Sequence, residues 1–168
     1  TNQHAATVAE LNRYGLCDPH TFDGAVEFEA VDINAIPASY AGRYDYAWSS
    51  CCFEHCGSIE LGFRFILEQM KTLRPGGIAI HTTELNLSSD TDTLEEGETV
   101  LFRMRDIRRM VDALRRDGHE IEIDYTIGNG RLESRVDVPP YKQNPHLRLL
   151  LSRYVTTSIG LIVRKAYS

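Results

Sequence analysis

The residues of this chain that are best suited to acid–base chemistry lie side by side at Glu54 and His55. A histidine exchanges protons near neutral pH, so a positioned imidazole acts as a general base toward a hydroxyl group. A neighbouring glutamate can orient the ring or change its proton affinity. A structural alternative stays open, in which His55 caps the next helix and Glu54 interacts favourably with the N-terminus of that helix.

A second group of polar side chains lies in and just after a segment that begins as a nearly continuous apolar run. Hydroxyl, imidazole, carboxamide and carboxylate groups are the groups that recognise hydroxylated small molecules. We expect these side chains to contact an acceptor, with a polar loop over 86–98 closing on them. They are His81, Thr83, Glu84 and Asn86, joined by Arg103 from further along the chain.

Three of the four cysteines, Cys51, Cys52 and Cys56, fall within six positions, unlike the spread cysteines of a disulfide framework. Reduced thiols that pack as small apolar side chains are the expectation. A zinc site that adds His55 to these thiols is an open alternative, since thiolate and imidazole are both zinc ligands. No metal ligand is predicted.

The segments around these residues alternate between strand and helix patterns. Strands are predicted over 26–33, 44–50, 78–85, 119–127 and 158–164, and helices over 3–14, 58–73 and 107–114, with a possible short helix over 147–151. Alternating strands and helices predict an α/β fold with a mostly parallel sheet. The last strand follows no crossover helix, so we expect it to run antiparallel.

Ligands of such sheets bind beyond the carboxyl ends of the parallel strands. Three polar segments fall at predicted strand ends, namely 32–34, 49–55 and 81–86. We therefore expect them to meet along one edge of the sheet and to form the active site there.

Size and charge narrow the class of protein. The chain has 168 residues and 42% apolar content, enough for the core of a single domain. Its formal net charge is −6, which argues against a protein held on nucleic acid by phosphate neutralisation. No apolar run approaches the roughly 20 residues of a membrane span, and the N-terminus has no signal pattern. We expect a soluble cytoplasmic protein that acts on a small molecule.

Three motifs in combination resemble the Rossmann-like (class I) S-adenosylmethionine-dependent methyltransferase family. The segment 32–37 matches the acidic element after a strand, 44–50 with Glu54 and His55 matches the fourth-strand motif, and 73–80 matches the helix–turn–strand motif. The resemblance covers residues 3–127 and 158–166. It implies a Rossmann-like three-layer sandwich with an antiparallel C-terminal strand.

The resemblance also implies that the first strand seen here is the family's third. The first two strands and the glycine-rich loop of the family would then precede Thr1, and the sequence contains no Gly-x-Gly-x-x-Gly. The expectation is a single methyltransferase-like domain over 1–168, truncated at its N-terminus, that represents the C-terminal two-thirds of the full fold.

The cofactor implied by the resemblance is S-adenosylmethionine. Asp32 would accept a hydrogen bond from the adenine amino group, the Ile33 backbone would contact the ring edge, and Ser49 and Ser50 would lie under the sulfonium. The implied reaction is methyl transfer to an oxygen of a small-molecule or carbohydrate acceptor, with His55 as base. The alternative is a non-catalytic binding or regulatory module that no longer holds the cofactor.

Some O-methyltransferases similar to this family bind a divalent ion through Glu-x-x-Glu-His. Here Cys51 stands in the place of the first glutamate, before Glu54 and His55, and His81 is a possible neighbour from the next strand. A thiolate favours zinc over magnesium. The cysteine at position 51 therefore disfavours a magnesium site like the one in these enzymes.

Overall fold

The computed structural model describes residues 5, 7–142, 144 and 146–167. Its helices are α1 (Val8–Leu11), α2 (Pro19–Ala25), α3 (Ile59–Met70) and α4 (Met104–Arg116). Its strands are β1 (Tyr44–Ser49), β2 (Leu73–Asn86), β3 (Glu120–Ile123), β4 (Val136–Asp137), β5 (Arg148–Leu151) and β6 (Tyr154–Arg164). Single turns of 3₁₀ helix cover Ala38–Tyr40 and Phe53–His55.

The strands form one mixed sheet in the order β1-β2-β6-β5-β4, with β3 also paired to β6. The pairs β1–β2 and β4–β5 are parallel. β6 runs antiparallel to β2, β3 and β5. The other described strands therefore share one direction and β6 alone opposes them, which confirms the α/β fold with an antiparallel last strand.

Helix α3 begins where the sequence provides a cap and an apolar stripe. The Ser58 hydroxyl accepts a hydrogen bond from the Leu61 backbone N–H at 3.1 Å, which satisfies one of the free donors at the helix start. Phe65, Ile66 and Met70 recur at helical spacing and are buried. The predicted helix over 58–73 is thus confirmed within one turn at its C-terminal end.

Helix α4 packs beside α3 on the same face of the sheet. Its buried side chains include Ile107, Met110 and Leu114, which join the core formed by α3 and by alternate residues of β2 and β6. At the surface, the guanidinium of Arg109 pairs with both carboxylate oxygens of Glu60 from α3. The two helices therefore form a single layer over the sheet.

The opposite face of the sheet carries exposed apolar side chains. Trp48 is 79% exposed and stands in register with Ile80, which is in register with Ile162. These three residues lie on neighbouring strands and on the side away from α3 and α4. No helix of the described residues is both long and apolar enough to cross a membrane.

Two predicted elements differ from the structure. The segment 26–33 is not a strand. Among the described strands β1 pairs only with β2, so the segment has no strand beside it to complete its backbone hydrogen bonds. The possible helix over 147–151 is wrong: the segment forms β5, since four residues gain more from pairing with β6 than from one isolated helical turn. Within the predicted helix over 3–14, only α1 is helical, and residues 3, 4 and 6 lie outside the described residues.

Close packing at Gly62 in α3 gives a test of this core. A Cβ atom at Gly62 would lie 2.6 Å from the Phe53 carbonyl oxygen and 2.7 Å from Cζ of Phe102. We expect Gly62→Ala to lower the free energy of unfolding by about 1–3 kcal/mol, because buried backbone and a buried ring must move. Urea denaturation measures the change.

The matched control is Gly24→Ala in α2, where the added methyl group meets nothing within 4 Å. That variant should be as stable as the parent or slightly more so, because alanine favours helix. Equal stability of Gly62→Ala and the parent would contradict the packing described at this position.

Candidate functional site

The parallel pairing of β1 with β2 places the end of β1 beside the middle of β2. Ser49, the last residue of β1, is in register with His81. The backbone N–H of Cys51 then donates to the carbonyl and to the hydroxyl of Thr82, at 3.1 and 3.0 Å. Cys51 has a φ of 44°, which turns the chain away from the strand direction. The residues after β1 are thereby held against β2.

Glu54 lies in the 3₁₀ turn after β1 and is only 1% exposed. Its Oε2 accepts a hydrogen bond from the Thr83 hydroxyl at 2.9 Å, whereas its Oε1 is buried and has no hydrogen-bond partner among the described residues. Burial raises the pKa of Glu54, because the charged form loses its hydration. Two predicted site residues, Glu54 and Thr83, are thus in direct contact.

His55 is exposed, next to the buried Glu54. Its Nδ1 lies 2.8 Å from the Glu98 carbonyl oxygen and 3.3 Å from the Thr99 hydroxyl. A carbonyl only accepts, so Nδ1 carries the hydrogen and Nε2 has the free lone pair that a general base needs. The orienting group is the Glu98 carbonyl, whereas the expected partner, Glu54, bonds to Thr83 instead.

His81 faces the core, and Ser49 is half-buried beside it. His81 is 1% exposed, and its Nδ1 lies 2.8 Å from the Ser49 hydroxyl. Its Nε2 lies 3.1 Å from Oε1 of Gln69, which accepts the ring hydrogen. Burial lowers the pKa of His81 to about 4, so the ring is neutral at pH 7. Ser49 and His81 therefore bind each other at the end of β1.

Asn86 and Arg103 hold the loop 86–98 in place. The Asn86 side chain donates to the Asp92 carbonyl at 3.0 Å and accepts from the Ser88 N–H at 2.8 Å. Arg103 is 5% exposed and forms a salt bridge with Asp106 at 2.7 Å as part of a capping box at the start of α4. These contacts engage the polar groups of Asn86 and Arg103, two of the five side chains that were predicted to bind an acceptor.

Asp32 lies in a turn that is docked beside the end of β1. The Asp32 carboxylate accepts the Asn34 N–H at 2.8 Å, and the Asn34 amide donates to the Cys56 carbonyl at 3.1 Å. Asp32 is exposed, Ile33 packs against the core, and Ser50 is exposed. The polar segments 32–34 and 49–56 are therefore adjacent, although 26–33 is not a strand.

Glu84 points away from the core toward Cys51. The Sγ atom of Cys51 lies 4.0 Å from Oε1 of Glu84 and 3.9 Å from the hydroxyl of Ser158 in β6. Cys51, Glu54 and Glu84 each offer one ligand atom within 4.8 Å of the others, the only such group of three among the described residues. These three side chains are candidates to hold a metal ion.

A cavity of about 350 Å³ opens beside this group, where β6 has no partner between β3 and β5. Polar side chains line much of it, among them Asp124, His146, Arg148 and Ser158. Sequence patterns did not point to Asp124 or Ser158, because their approach to the rim depends on how β3 and β6 pair. The sequence predicted strands over 119–127 and 158–164, but not the register in which they pair.

The solved structures that are similar to this chain include three with TM-scores of 0.50 or more. The cyclase SpnF has a TM-score of 0.58 and 17% identity, over 95% of this chain and 61% of that protein. An O-methyltransferase family protein from Burkholderia thailandensis has a TM-score of 0.53 and 15% identity, over 94% and 40%. A SAM-dependent methyltransferase from Methanosarcina mazei has a TM-score of 0.50 and 14% identity, over 84% and 68%.

At these identities the likeness establishes the fold alone. The chain has the Rossmann-like α/β fold of these structures, two of which are named methyltransferases and one a cyclase. The chain spans about three-fifths of the length of SpnF and two-fifths of the Burkholderia protein. No protein-family model matches the sequence, and no curated protein matches it.

The buried His81 predicts a pH dependence of stability. The unfolded chain takes up a proton on His81 near pH 6.5, whereas the folded protein takes it up only near pH 4. The stability contributed by the neutral ring is complete above pH 6.5 and is lost as pH falls toward 4. We expect the unfolding free energy of the parent to fall by about 3 kcal/mol relative to that of His81→Gln as the pH is lowered over that range.

Denaturant unfolding at several pH values measures this difference. Burial also shifts the pKa of Glu54, which makes stability change with pH in the opposite direction, and the pKa of His119, which acts in the same direction. Both shifts are present in the parent and the variant, so they cancel in the difference. The exposed His20→Gln is the control and should follow the parent at every pH. A difference between parent and His81→Gln that does not change with pH would contradict the neutral, buried ring.

Proposed function

We propose that this chain takes part in S-adenosylmethionine-dependent methyl transfer to an oxygen atom of a small-molecule or carbohydrate acceptor. The observation that carries the proposal is the exposed His55, whose Nδ1 is held by the Glu98 carbonyl at the carboxyl end of β1. The fold and the motifs around Asp32, Glu54 and His55 support it. The chain spans only 61% of SpnF and 40% of the Burkholderia protein, so methyl transfer is proposed for the whole protein.

The residues at the adenosyl end fit the cofactor. Asp32 is exposed and uses only one carboxylate oxygen on the Asn34 N–H, so the other can accept the adenine amino group. Ile33 lies at the core edge beside it and offers an apolar contact for the ring. Ser50 is exposed near the proposed sulfonium position, whereas the Ser49 hydroxyl is engaged by His81.

When bound, the sulfonium supplies the methyl group, and the protein aligns the reactants and removes a proton. Transfer to a hydroxyl needs a base within hydrogen-bond reach of the acceptor oxygen. Nε2 of His55 is free to take that proton, and the Glu98 carbonyl stabilises the resulting imidazolium by accepting the hydrogen on Nδ1. Glu54 contributes negative charge beside His55 when it is ionised.

The cavity beside β6 supports a hydroxylated acceptor. Its walls combine carboxylate, imidazole, guanidinium and hydroxyl groups with the apolar Ile127, Leu147 and Ile159. Polar groups of both signs at a partly apolar wall suit the hydroxyl groups and the ring faces of a sugar or a phenol. Ser158 belongs both to this cavity and to the surroundings of Cys51, so the cavity adjoins the rim.

A non-catalytic binding module is the second candidate, favoured by the contacts within the protein that engage the side chains of Ser49, His81 and Arg103. Calorimetric titration of the protein with S-adenosylmethionine separates the two functions. The methyl-transfer proposal predicts micromolar, one-to-one binding that is weakened by Asp32→Asn. No heat of binding at millimolar cofactor would refute the proposal and support the module.

His55 gives the test of catalysis. Tritiated methyl groups of S-adenosylmethionine are followed into a panel of catechols and glycosides to find an acceptor. With that acceptor, we expect His55→Gln to lower kcat by about 10²–10⁴-fold, the usual contribution of a general base, while cofactor affinity stays unchanged.

The matched control for His55→Gln is His20→Gln, which alters an exposed histidine in α2 and should leave kcat unchanged. Parent-like turnover of His55→Gln would show that another group takes the proton.

A further inference from the structure

Cys51, Glu54 and Glu84 converge at the rim although they come from different parts of the chain. Cys51 follows β1 directly, Glu54 lies in the next 3₁₀ turn and Glu84 is in β2. One ligand atom from each lies within 4.8 Å of the other two. A thiol and two carboxylates thus point toward a common volume.

The two carboxylates lack the partners that buried charges normally have. Glu54 is 1% exposed with Oε1 unpartnered, and Oε2 of Glu84 is also buried with no hydrogen bond from the described residues. Neither forms a salt bridge with an arginine, lysine or histidine of that part of the chain. Unpaired buried carboxylate oxygens cost free energy, which a cation between them would offset.

We propose that Cys51, Glu54 and Glu84 form a binding site for a divalent transition-metal ion, and that zinc is the ion. One thiolate and two carboxylates match the ligands of zinc, and the thiolate disfavours magnesium and calcium. Atoms bound to one zinc ion lie about 3.5 Å apart, so the three donors need to approach by about 1 Å, within reach of glutamate side-chain rotations.

The histidine and the other cysteines have different surroundings. His55 turns its Nδ1 to the Glu98 carbonyl. Cys56 is buried, and burial raises the pKa of its thiol to about 11, which disfavours the thiolate. The proposed ligand set therefore shares only Cys51 with a site built from the cysteine cluster and His55.

Three protein ligands leave one position of a tetrahedral zinc ion open. Ser158 lies 3.9 Å from Sγ of Cys51 and also lines the polar cavity, so this open position adjoins the cavity. Zinc binding releases the thiol proton of Cys51 to solvent, together with the proton that Glu54 carries when its carboxyl is neutral. Affinity for zinc should consequently fall as the pH is lowered.

The experiment uses the full chain, stripped of metal with a chelator, and reads metal binding without reference to methyl transfer. Zinc is titrated by calorimetry, and cobalt(II) replaces it for absorption spectroscopy. We expect one ion per chain and a thiolate-to-cobalt charge-transfer band. Cys51→Ser should abolish the band, and Glu84→Gln should weaken zinc binding by at least about tenfold.

Cys52→Ser and Glu96→Gln are the matched controls, since they alter a neighbouring thiol and an exposed carboxylate of the nearby loop. Both should bind zinc like the parent. Circular dichroism of each metal-free variant establishes that it is folded, and Glu84→Gln is preferred to Glu54→Gln because the Glu54 side chain also anchors Thr83.

Absence of stoichiometric zinc binding by the folded parent overturns the proposal. A charge-transfer band that persists in Cys51→Ser, or disappears in Cys52→Ser, overturns the assignment of the thiolate. Because cofactor binding is measured separately, failure of the zinc site leaves the methyl-transfer proposal to its own tests.

Discussion

The in-register parallel pairing of β1 with β2 is the constraint on which the site depends. It sets Ser49 opposite His81, and the next residues must then turn across β2 at Thr82. The turn carries Glu54 to Thr83 and leaves His55 at the surface. A shift of this register by one residue would move every one of these contacts to the other face of the sheet.

Polar groups are buried here in two different ways. His81 is neutral and both ring nitrogens have partners, Ser49 and Gln69, so it stabilises a polar contact inside the core. Glu54 is buried and Glu84 is half-buried, and each has one buried oxygen with no partner among the described residues. A satisfied polar group of the first kind serves folding, whereas unsatisfied carboxylates at a rim are typical of a place where a ligand completes the bonding.

Sequence patterns predicted the elements whose apolar periodicity is visible within their own residues. The apolar stripe from Ile59 to Met70 predicted α3, and the continuous apolar start of 78–85 predicted β2, because such patterns are readable without the rest of the fold. The cap at Ser58 was found only in the structure. Segment 26–33 had the right alternation for a strand but no neighbour to pair with, and the leucines of 147–151 paired with β6, which no local pattern reveals.

Sequence patterns predicted that the polar segments of the candidate site meet, but not which way each of their side chains faces. Alternation along β2 already implied that His81 and Thr83 share one face and Glu84 takes the other, but which face is the core depends on where α3 and α4 pack. The same limit hid the approach of Glu84 to Cys51, which requires the pairing of β1 with β2, and the place of Ser158, which requires the pairing of β6 with β2.

The most direct test of a ligand site at this rim is a titration of the isotope-labelled protein with S-adenosylmethionine, followed by amide chemical shifts. A site formed by the convergence of the chain at the end of β1 predicts that amides of 32–34, 49–56 and 82–86 shift together and saturate with one constant. Shifts confined to β3 and β4, or none at all, would contradict it.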